Sequence, residues 1–206
     1  MKLKRDFYNQ DARIVGEKLV GKILVRKYND TLIKSRIIES EAYIAAIDKA
    51  SHGYGGKITP RTKIMFGPPG YAYVYLIYGM YYCLNFVTEK EGTCSAVLIR
   101  AVEPVINEEE MCINRYNKQL SELTKYQKRN MSNGPGKLCN ALKITIKHNG
   151  TDLTGNEIYV EDDGFRGFET ERSKRINIDY AEEAKDFLWR YTIRYKNAWQ
   201  IQILQI

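Results

Sequence analysis

Alternation of apolar and polar residues dominates the chain and predicts a protein built largely of β-strands. The segments with this pattern are residues 22–28, 32–43, 71–77, 80–87, 95–103, 157–161 and 187–204. Asn29-Asp30 and Tyr78-Gly79 are pairs typical of tight turns, and they predict that the strands on either side of them form hairpins. Most strand pairs are therefore expected to be antiparallel.

Helical periodicity is confined to shorter segments, namely residues 11–20, 107–120, 137–142 and 179–186. In the first of these, Asp11 is a suitable N-cap for a helix with one apolar face. Residues 45–70 and 121–135 lack periodicity and are expected to be loops. The prediction is one α+β domain over residues 1–206, with a curved, largely antiparallel sheet, flanking helices and a protruding β-hairpin.

Length and composition exclude several classes of protein. The 206 residues are 44% hydrophobic and 28% charged, as in a folded chain rather than a disordered one. No apolar run approaches the roughly 18 residues that span a bilayer. The charged N-terminal residues lack the apolar core of a secretion signal. We therefore expect no membrane association and, for a bacterial protein, action in the cytoplasm. The four cysteines form no C-x-x-C pair and there are two histidines, so we expect reduced thiols and no metal site.

Positive charge is concentrated in one segment. Residues 111–150 hold eight basic side chains and one acidic one, a net charge of +7 for this segment. The whole chain has the same net charge of +7. Such a block is either a solvated face or a surface for a polyanion. In addition, six of the 16 tyrosines fall within residues 71–82. Aromatic rings beside basic charge suit a nucleic-acid site, because rings stack on bases and cations hold phosphates, although tyrosine is also a good strand former.

Two glutamates stand in an otherwise apolar strand. Alternate residues of a strand share a face, so Glu39, Glu41 and Tyr43 are expected to point the same way. This pattern fits an edge strand with its polar face in water. It also fits a general base beside a stacking ring at the start of a long loop. His52 lies in that loop, among glycines that allow a ligand to approach the backbone closely.

The hairpin and a glycine-rich turn are further candidates. Tyr78 at the hairpin tip cannot pack beneath its own strands, so its ring either meets another loop or projects as a wedge that can enter a base stack. Gly134-Pro135-Gly136-Lys137 is similar to a phosphate-binding loop, but Leu138 stands where a nucleotide site needs Ser or Thr. We therefore predict no nucleotide cofactor, and a possible role for Lys137 in holding a nucleic-acid phosphate.

Several short blocks follow one another in the order found in one family. They are Glu39-Ser40-Glu41-Ala42-Tyr43, Ala50-Ser51-His52, Thr59-Pro60-Arg61, Met65-Phe66, Tyr73 to Tyr81, Cys83-Leu84-Asn85, Leu98 to Pro104 and Asn133 to Leu138. From about Phe7 onward the chain resembles the alkyladenine (3-methyladenine) DNA glycosylases of mammals and many bacteria, whereas residues 105–132 match poorly. Several blocks in this order are far more specific than any one of them.

The resemblance implies roles for individual side chains. Glu41 would activate the attacking water, and Arg100 would help to place that water. The implied base pocket consists of Tyr43, His52, Tyr75, Asn85 and Ile176, the last acting through its backbone carbonyl. Tyr78 would fill the gap left by a flipped nucleotide. Contacts to the DNA backbone or minor groove are expected from Lys57, Thr59, Met80, Tyr81 and Lys137.

The resemblance also implies the reaction. It is the monofunctional removal of damaged purines from double-stranded DNA by a monomer, without metal or cofactor, leaving an abasic site. The expected lesions are 3-methyladenine and 7-methylguanine, with hypoxanthine and ethenoadenine as further candidates. Two alternatives stay open: a non-catalytic module that binds DNA lesions or tRNA, and a protein-interaction domain with a Tyr-rich contact surface. Glu41, His52 and Arg100 together favour the enzyme, because a pure binder needs no carboxylate facing DNA.

Overall fold

The framework is an eight-stranded sheet, seen in a computed structural model that describes residues 1–196. Its strands are β1 (Ile23–Tyr28), β2 (Thr31–Ile44), β3 (Ala72–Ile77), β4 (Tyr81–Thr88), β5 (Ser95–Ile106), β6 (Ile158–Glu161), β7 (Phe168–Ser173) and β8 (Arg190–Tyr195). Neighbouring strands follow the order β3-β4-β5-β2-β1-β6, and β8 joins β2 to β7. The described pairings are antiparallel, which confirms the predicted α+β class.

The helices are short and lie around the sheet. They are α1 (Arg5–Tyr8), α2 (Ala12–Leu19), α3 (Glu108–Tyr116), α4 (Lys125–Arg129) and α5 (Pro135–Ala141). Single 3₁₀ turns cover Tyr54–Gly56, Lys63–Phe66, Leu120–Glu122, Ile146–His148 and Glu182–Asp186. The apolar faces of α2 and α5 pack against β2 and β4, and the main core lies between these layers. Within residues 1–196, no helix is long and apolar enough to cross a membrane.

Several elements differ from the predicted ones, among them the helix predicted over residues 179–186, which is a 3₁₀ turn over Glu182–Asp186. Helix α3 ends at Tyr116 because Asn117 takes a left-handed conformation with φ of 53°. The predicted loop 121–135 contains α4, which the Thr124 side chain caps. Helix α1 and strand β7 were not predicted. The last strand ends at Tyr195, and residues 197–204 of the predicted segment lie outside the described residues.

Strand β2 changes the face that it buries halfway along its length. Odd-numbered residues are buried up to residue 37, and even-numbered residues are buried in the core from residue 40 onward. The pairing with β5 is irregular here, because the register skips Ile38 on β2 and Arg100 on β5. A one-residue shift turns every later side chain to the opposite face. Glu39, Glu41 and Tyr43 thereby face away from the main core.

Candidate active site

A cavity of about 400 Å³ lies between the β3–β4 hairpin, the 45–70 loop and the loop that follows β7. It brings together residues that are far apart in the sequence. The predicted site residues that line it are Tyr43, His52, Tyr75, Tyr78, Tyr81, Asn85, Arg100, Lys137 and Ile176. Its lining includes six tyrosines and His52, together with aliphatic residues and a few polar groups, as is typical of a pocket for a small organic ligand.

Glu41 lies directly behind this wall, with no exposed surface. Its carboxylate is held by three donors. The Ile176 N–H donates to Oε1 at 2.9 Å, and the Tyr43 hydroxyl donates to Oε2 at 2.8 Å. Arg100 donates to the same Oε2 at 3.3 Å. Each donor belongs to a residue that lines the cavity, so the carboxylate is fixed at the cavity wall rather than in bulk solvent.

Opposing effects act on the protonation of Glu41. Burial raises the pKa of its carboxyl above the usual value, while Arg100, the Ile176 N–H and the Tyr43 hydroxyl act to lower the pKa. The net pKa is raised. A carboxylate with a raised pKa is a stronger base, provided that it is ionised at the working pH. The arrangement therefore suits a general base.

A second carboxylate steadies Arg100. Glu39 accepts from the Arg100 Nε–H at 3.0 Å and contacts Arg190 at 2.8 Å. Arg100 thus bridges Glu39 and Glu41 from the irregular position on β5. Alternation along β2 brings the two glutamates and Tyr43 to one face, and the irregular pairing with β5 turns that face away from the main core.

Three aromatic side chains form one wall of the cavity. The His52 ring meets the Tyr75 ring edge to face, with 4.7 Å between centroids. The Tyr73 and Tyr75 rings lie 5.3 Å apart, and the Tyr73 hydroxyl is 3.0 Å from Nδ1 of His52. A Cβ added at Gly53 would lie 2.0 Å from the Sγ of Cys94, the buried residue just before β5. Glycine at position 53 therefore allows the loop that carries His52 to approach the start of β5 closely.

Arg61 completes this aromatic wall. Its guanidinium lies 4.6 Å from the Tyr75 ring centroid, and its Nε–H donates to the Tyr73 hydroxyl at 3.2 Å. It also lies 3.1 Å from Nε2 of His52. Partial burial, and then the charge of Arg61, lower the pKa of His52 to about 4. His52 is therefore neutral at physiological pH, and it presents no positive charge to a cationic ligand.

The tip of the hairpin projects from the protein. Tyr78 is 75% exposed, and its φ of 53° is a left-handed conformation that costs a residue other than glycine about 1–2 kcal/mol. Met80 is 64% exposed beside it. Tyr81 is 40% exposed, and its ring packs against α5 where Gly136 leaves room for it. An exposed ring at a strained tip has no role in packing, which points to a role in contact with a ligand.

The predicted DNA-contacting residues fall into two groups. Tyr78, Tyr81 and Lys137 line the cavity, with Met80 at the tip between the two tyrosines. Lys137 donates to the side-chain oxygens of Asn130 at 2.6 Å and Asn133 at 2.9 Å. Lys57 and Thr59 lie on the 45–70 loop and are not part of the cavity lining. For all six residues, contact with DNA stays a prediction.

The charged and aromatic side chains in or beside the cavity that were not among the predicted site residues are Arg61, Tyr73, Arg115 and Tyr180. Arg61 and Tyr73 fall inside the sequence blocks quoted above, and the alternation of tyrosines along β3 was an available signal for Tyr73. Arg115 belongs to the basic segment 111–150. The excess of charge there does not show which of its side chains lines the cavity. Nothing in the local pattern marks Tyr180, which is exposed on the loop after β7.

The residues described so far offer no ready metal centre. Across the described part of the chain, no three His, Cys, Asp or Glu side chains gather as metal ligands would. The four cysteines are free and buried. The functional groups that the structure does bring together here are the Glu41 carboxylate behind the cavity wall, the Arg100 guanidinium and a set of aromatic rings.

Proteins similar to this chain share one description. The family model for Methylpurine-DNA glycosylase (MPG) matches residues 6–197. A protein of Alkaliphilus oremlandii is 58% identical over 94% of this chain and 96% of its own length. A protein of Clostridium perfringens is 53% identical over 94% and 96%, and one of Clostridium acetobutylicum is 49% identical over 94% and 95%. Each of the three is named "Putative 3-methyladenine DNA glycosylase".

Proposed function

This chain belongs to the methylpurine-DNA glycosylase family, and from that premise we propose that it removes purines alkylated at N3 or N7 from duplex DNA by hydrolysis. As a DNA glycosylase it is an enzyme of DNA repair that cleaves an N-glycosidic bond. Alkylation at N3 or N7 makes the base cationic, so the bond to the sugar is already weakened. The protein must then reach C1′ of the sugar and supply a water molecule.

Reaching C1′ requires the nucleotide to leave the helix. A base rotated out of a duplex costs a few kcal/mol in lost stacking and pairing. We assign Tyr78 the role of filling the vacated space, because its exposed ring stands on a rigid two-stranded support beside the cavity mouth. Met80 and Tyr81 would lie in the minor groove on the same side, and Lys137 would contact a phosphate.

The aromatic cavity would receive the extruded base. Tyr43 and Tyr75 present ring surfaces to it, and neutral His52 adds no opposing charge. Electron-rich rings attract a cation by about 0.5–2 kcal/mol, which would favour alkylated purines over normal ones. Asn85 uses its amide to donate to the Tyr73 carbonyl at 3.1 Å, and this bond fixes the Asn85 side chain on the cavity floor. It would then limit the exocyclic groups that a base can carry.

Glu41 would perform the chemistry. Ionised Glu41 accepts a proton from water as the water attacks C1′, and its charge stabilises the oxocarbenium-like centre, as carboxylates do in glycosidases. Arg100 favours the ionised form and orients it. Ile176 contributes its N–H to the carboxylate; a part for its carbonyl in placing the water stays a prediction. The products are the free base and an abasic site.

We propose hydrolysis rather than strand cleavage because the lysine at the cavity is engaged in hydrogen bonds. Strand cleavage by β-elimination would need a lysine free to form a Schiff base. Lys137 is the lysine that lines the described cavity, and its Nζ is bonded to Asn130 and Asn133. We also propose that the chain works as a single domain and as a monomer, with its own residues sufficient for the reaction.

The observation that carries the proposal is the buried Glu41, held by three donors behind an aromatic cavity. The test is release of free base from duplexes containing 3-methyladenine, 7-methylguanine, hypoxanthine or ethenoadenine, with undamaged duplex as the control. We expect release of the two methylated purines. Tight binding of damaged duplex without any release would instead support the non-catalytic alternative.

A further inference from the structure

One fully buried ion pair lies outside the cavity and has no role in the reaction described so far. Asp48 in the 45–70 loop and Arg175 in the loop after β7 are joined by two hydrogen bonds, of 2.5 and 2.8 Å, and neither side chain has exposed surface. Replacing such a pair by apolar residues is often neutral or stabilising, because burying two charges is costly. Stability alone is therefore a poor reason for this pair.

Arg175 uses the other N–H groups of its two terminal nitrogens to tie separate segments together. It donates to the carbonyl of Ala42 on β2 at 2.9 Å and to the carbonyl of Ala184 at 3.0 Å. Its guanidinium lies 4.6 Å from the Tyr43 ring centroid and 5.2 Å from that of Trp189. One planar group thus fixes the end of β2, the ring of Tyr43 and the loop after β7.

Two of the three groups that hold Glu41 depend directly on these contacts. Ile176, whose N–H donates to Oε1 of Glu41, is the residue next to Arg175. Tyr43, whose hydroxyl donates to Oε2, has its ring against the Arg175 guanidinium. We propose that the Asp48–Arg175 pair is a positioning device that holds the two donors of Ile176 and Tyr43 on the Glu41 carboxylate. This inference rests on the proposed function, in which Glu41 acts on the water.

Asp48 also holds the backbone of the loop on the other side of the cavity. Its Oδ1 also accepts the Ala50 N–H at 3.0 Å, and its carbonyl accepts the Ser51 N–H at 2.9 Å. These bonds shape the turn that leads directly into His52. The pair therefore fixes the backbone on both flanks of the cavity relative to one buried carboxylate.

Arginine is the residue that this geometry requires. Four acceptors in different directions can be served only by a planar group with several fixed donors, and its flat face can also stack on a ring. Lysine would keep the charge beside Asp48 but could not make both arms of the bidentate bond and both carbonyl bonds. Arg175→Lys is therefore a sharp test, because it preserves the ion pair and removes the directional contacts.

The state of Glu41 reports on this positioning. Titratable or charged groups around the Glu41 carboxylate are Glu39 and Tyr43 on its own strand, Cys83 on β4, Arg100 on β5 and Arg190 on β8. Loss of the Ile176 and Tyr43 bonds would remove two effects that lower the Glu41 pKa. Excision needs ionised Glu41, so the acidic limb of its pH profile would then move to higher pH.

The experiment compares wild type with Arg175→Lys and with the double variant Asp48→Asn/Arg175→Met, which removes both charges together. Arg26→Met is the matched control, because Arg26 is also buried, paired with a glutamate and stacked on a tyrosine, yet lies outside the cavity lining. Single-turnover release of 7-methylguanine is measured across pH. Binding to a duplex with a tetrahydrofuran abasic-site analogue and thermal unfolding are measured in parallel.

We expect both Arg175 variants to bind the analogue like wild type but to release base about 10- to 100-fold more slowly, the loss typical of a small misplacement of a catalytic group. Their acidic limb should lie at higher pH, and the limb of Arg26→Met should not move. Rates within about twofold of wild type with an unchanged limb would overturn the proposal. Should the double variant not fold, Arg175→Lys decides by the same criteria. No release by wild type would instead remove the proposed function itself.

Discussion

Glu41→Gln tests the central group of the site with the smallest possible change. Glutamine has the same shape as glutamate, but one of its two terminal atoms is an NH₂ donor. Oε1 of Glu41 accepts from Ile176, and Oε2 accepts from Tyr43 and Arg100. Whichever way the amide turns, its NH₂ meets at least one donor. The variant therefore loses the proton acceptor and at least one of its hydrogen bonds.

The expected loss in rate is large, while the loss in stability is small. A general base contributes about 10²–10⁴-fold, which equals about 2.7–5.4 kcal/mol of transition-state stabilisation. The Glu41 charge would also stabilise the developing cation, so we expect a decrease of at least about 10³-fold. Arg100 keeps its bond to Glu39, and the cost of burying a carboxylate disappears. We therefore expect a thermal midpoint close to that of wild type.

The assay is single-turnover release of 7-methylguanine from a short duplex, with enzyme in excess so that product release does not limit the rate. Binding of the variant to the same duplex is measured in parallel and should be retained. Glu39→Gln is the control, because Glu39 also accepts a hydrogen bond from Arg100 but has no part in the proposed activation of water; its rate should fall far less. A Glu41→Gln rate within about threefold of wild type would refute the assignment of Glu41 as the base.

Three further changes test other parts of the site. Tyr78→Ser should weaken binding to an abasic-site analogue about 5- to 150-fold, because stacking of one base on a ring is worth about 1–3 kcal/mol; unchanged affinity would contradict the wedge. Arg61→Gln removes one of the two causes that lower the His52 pKa, so an NMR titration should show that pKa above about 4; a value that stays the same would mean that burial alone sets it. Gly136→Ala would place a Cβ 2.9 Å from the Tyr81 ring. Overpacked contacts cost about 1–3 kcal/mol, so thermal unfolding should show a loss of stability of that size. An unaltered midpoint would show that the hairpin can move to relieve the contact.

Local patterns were sufficient to predict the two hairpins and most strands. Alternation marks β1, β2, β3 and β4, and the turn pairs between them need no distant partner. Strand β7 was not predicted because it is an exposed edge strand with the sequence Phe-Glu-Thr-Glu-Arg-Ser. Its one apolar side chain gives no alternation of apolar and polar residues. Helix α1 is a single turn, too short to show a period.

The site could be predicted only in part, because its geometry comes from pairing between distant segments. Strict alternation places Glu39 and Glu41 on one face, and the sequence blocks name most of the cavity. Alternation cannot show which face that is. The answer depends on the register skip at Ile38 and Arg100, which exists only when β2 pairs with β5. The role of Arg175 could not be predicted from local pattern either, since its partner Asp48 lies 127 residues away in sequence.

The proposed wedge and the proposed base lie on different segments of the chain, so lesion binding and base release should respond to different perturbations. The proposed wedge, Tyr78, and much of the aromatic wall belong to the β3–β4 hairpin, whose two strands are neighbours in sequence. Two of the three donors to Glu41, the proposed base, come from segments 59 and 135 residues away in sequence, so its full set of hydrogen bonds forms only when β2, β5 and the loop after β7 are all in place. A weakened hairpin should therefore reduce lesion binding while bound substrate still reacts. A disturbed β2–β5 register should abolish reaction while binding persists. Loss of both properties from either change alone would mean that hairpin and carboxylate are not independent units.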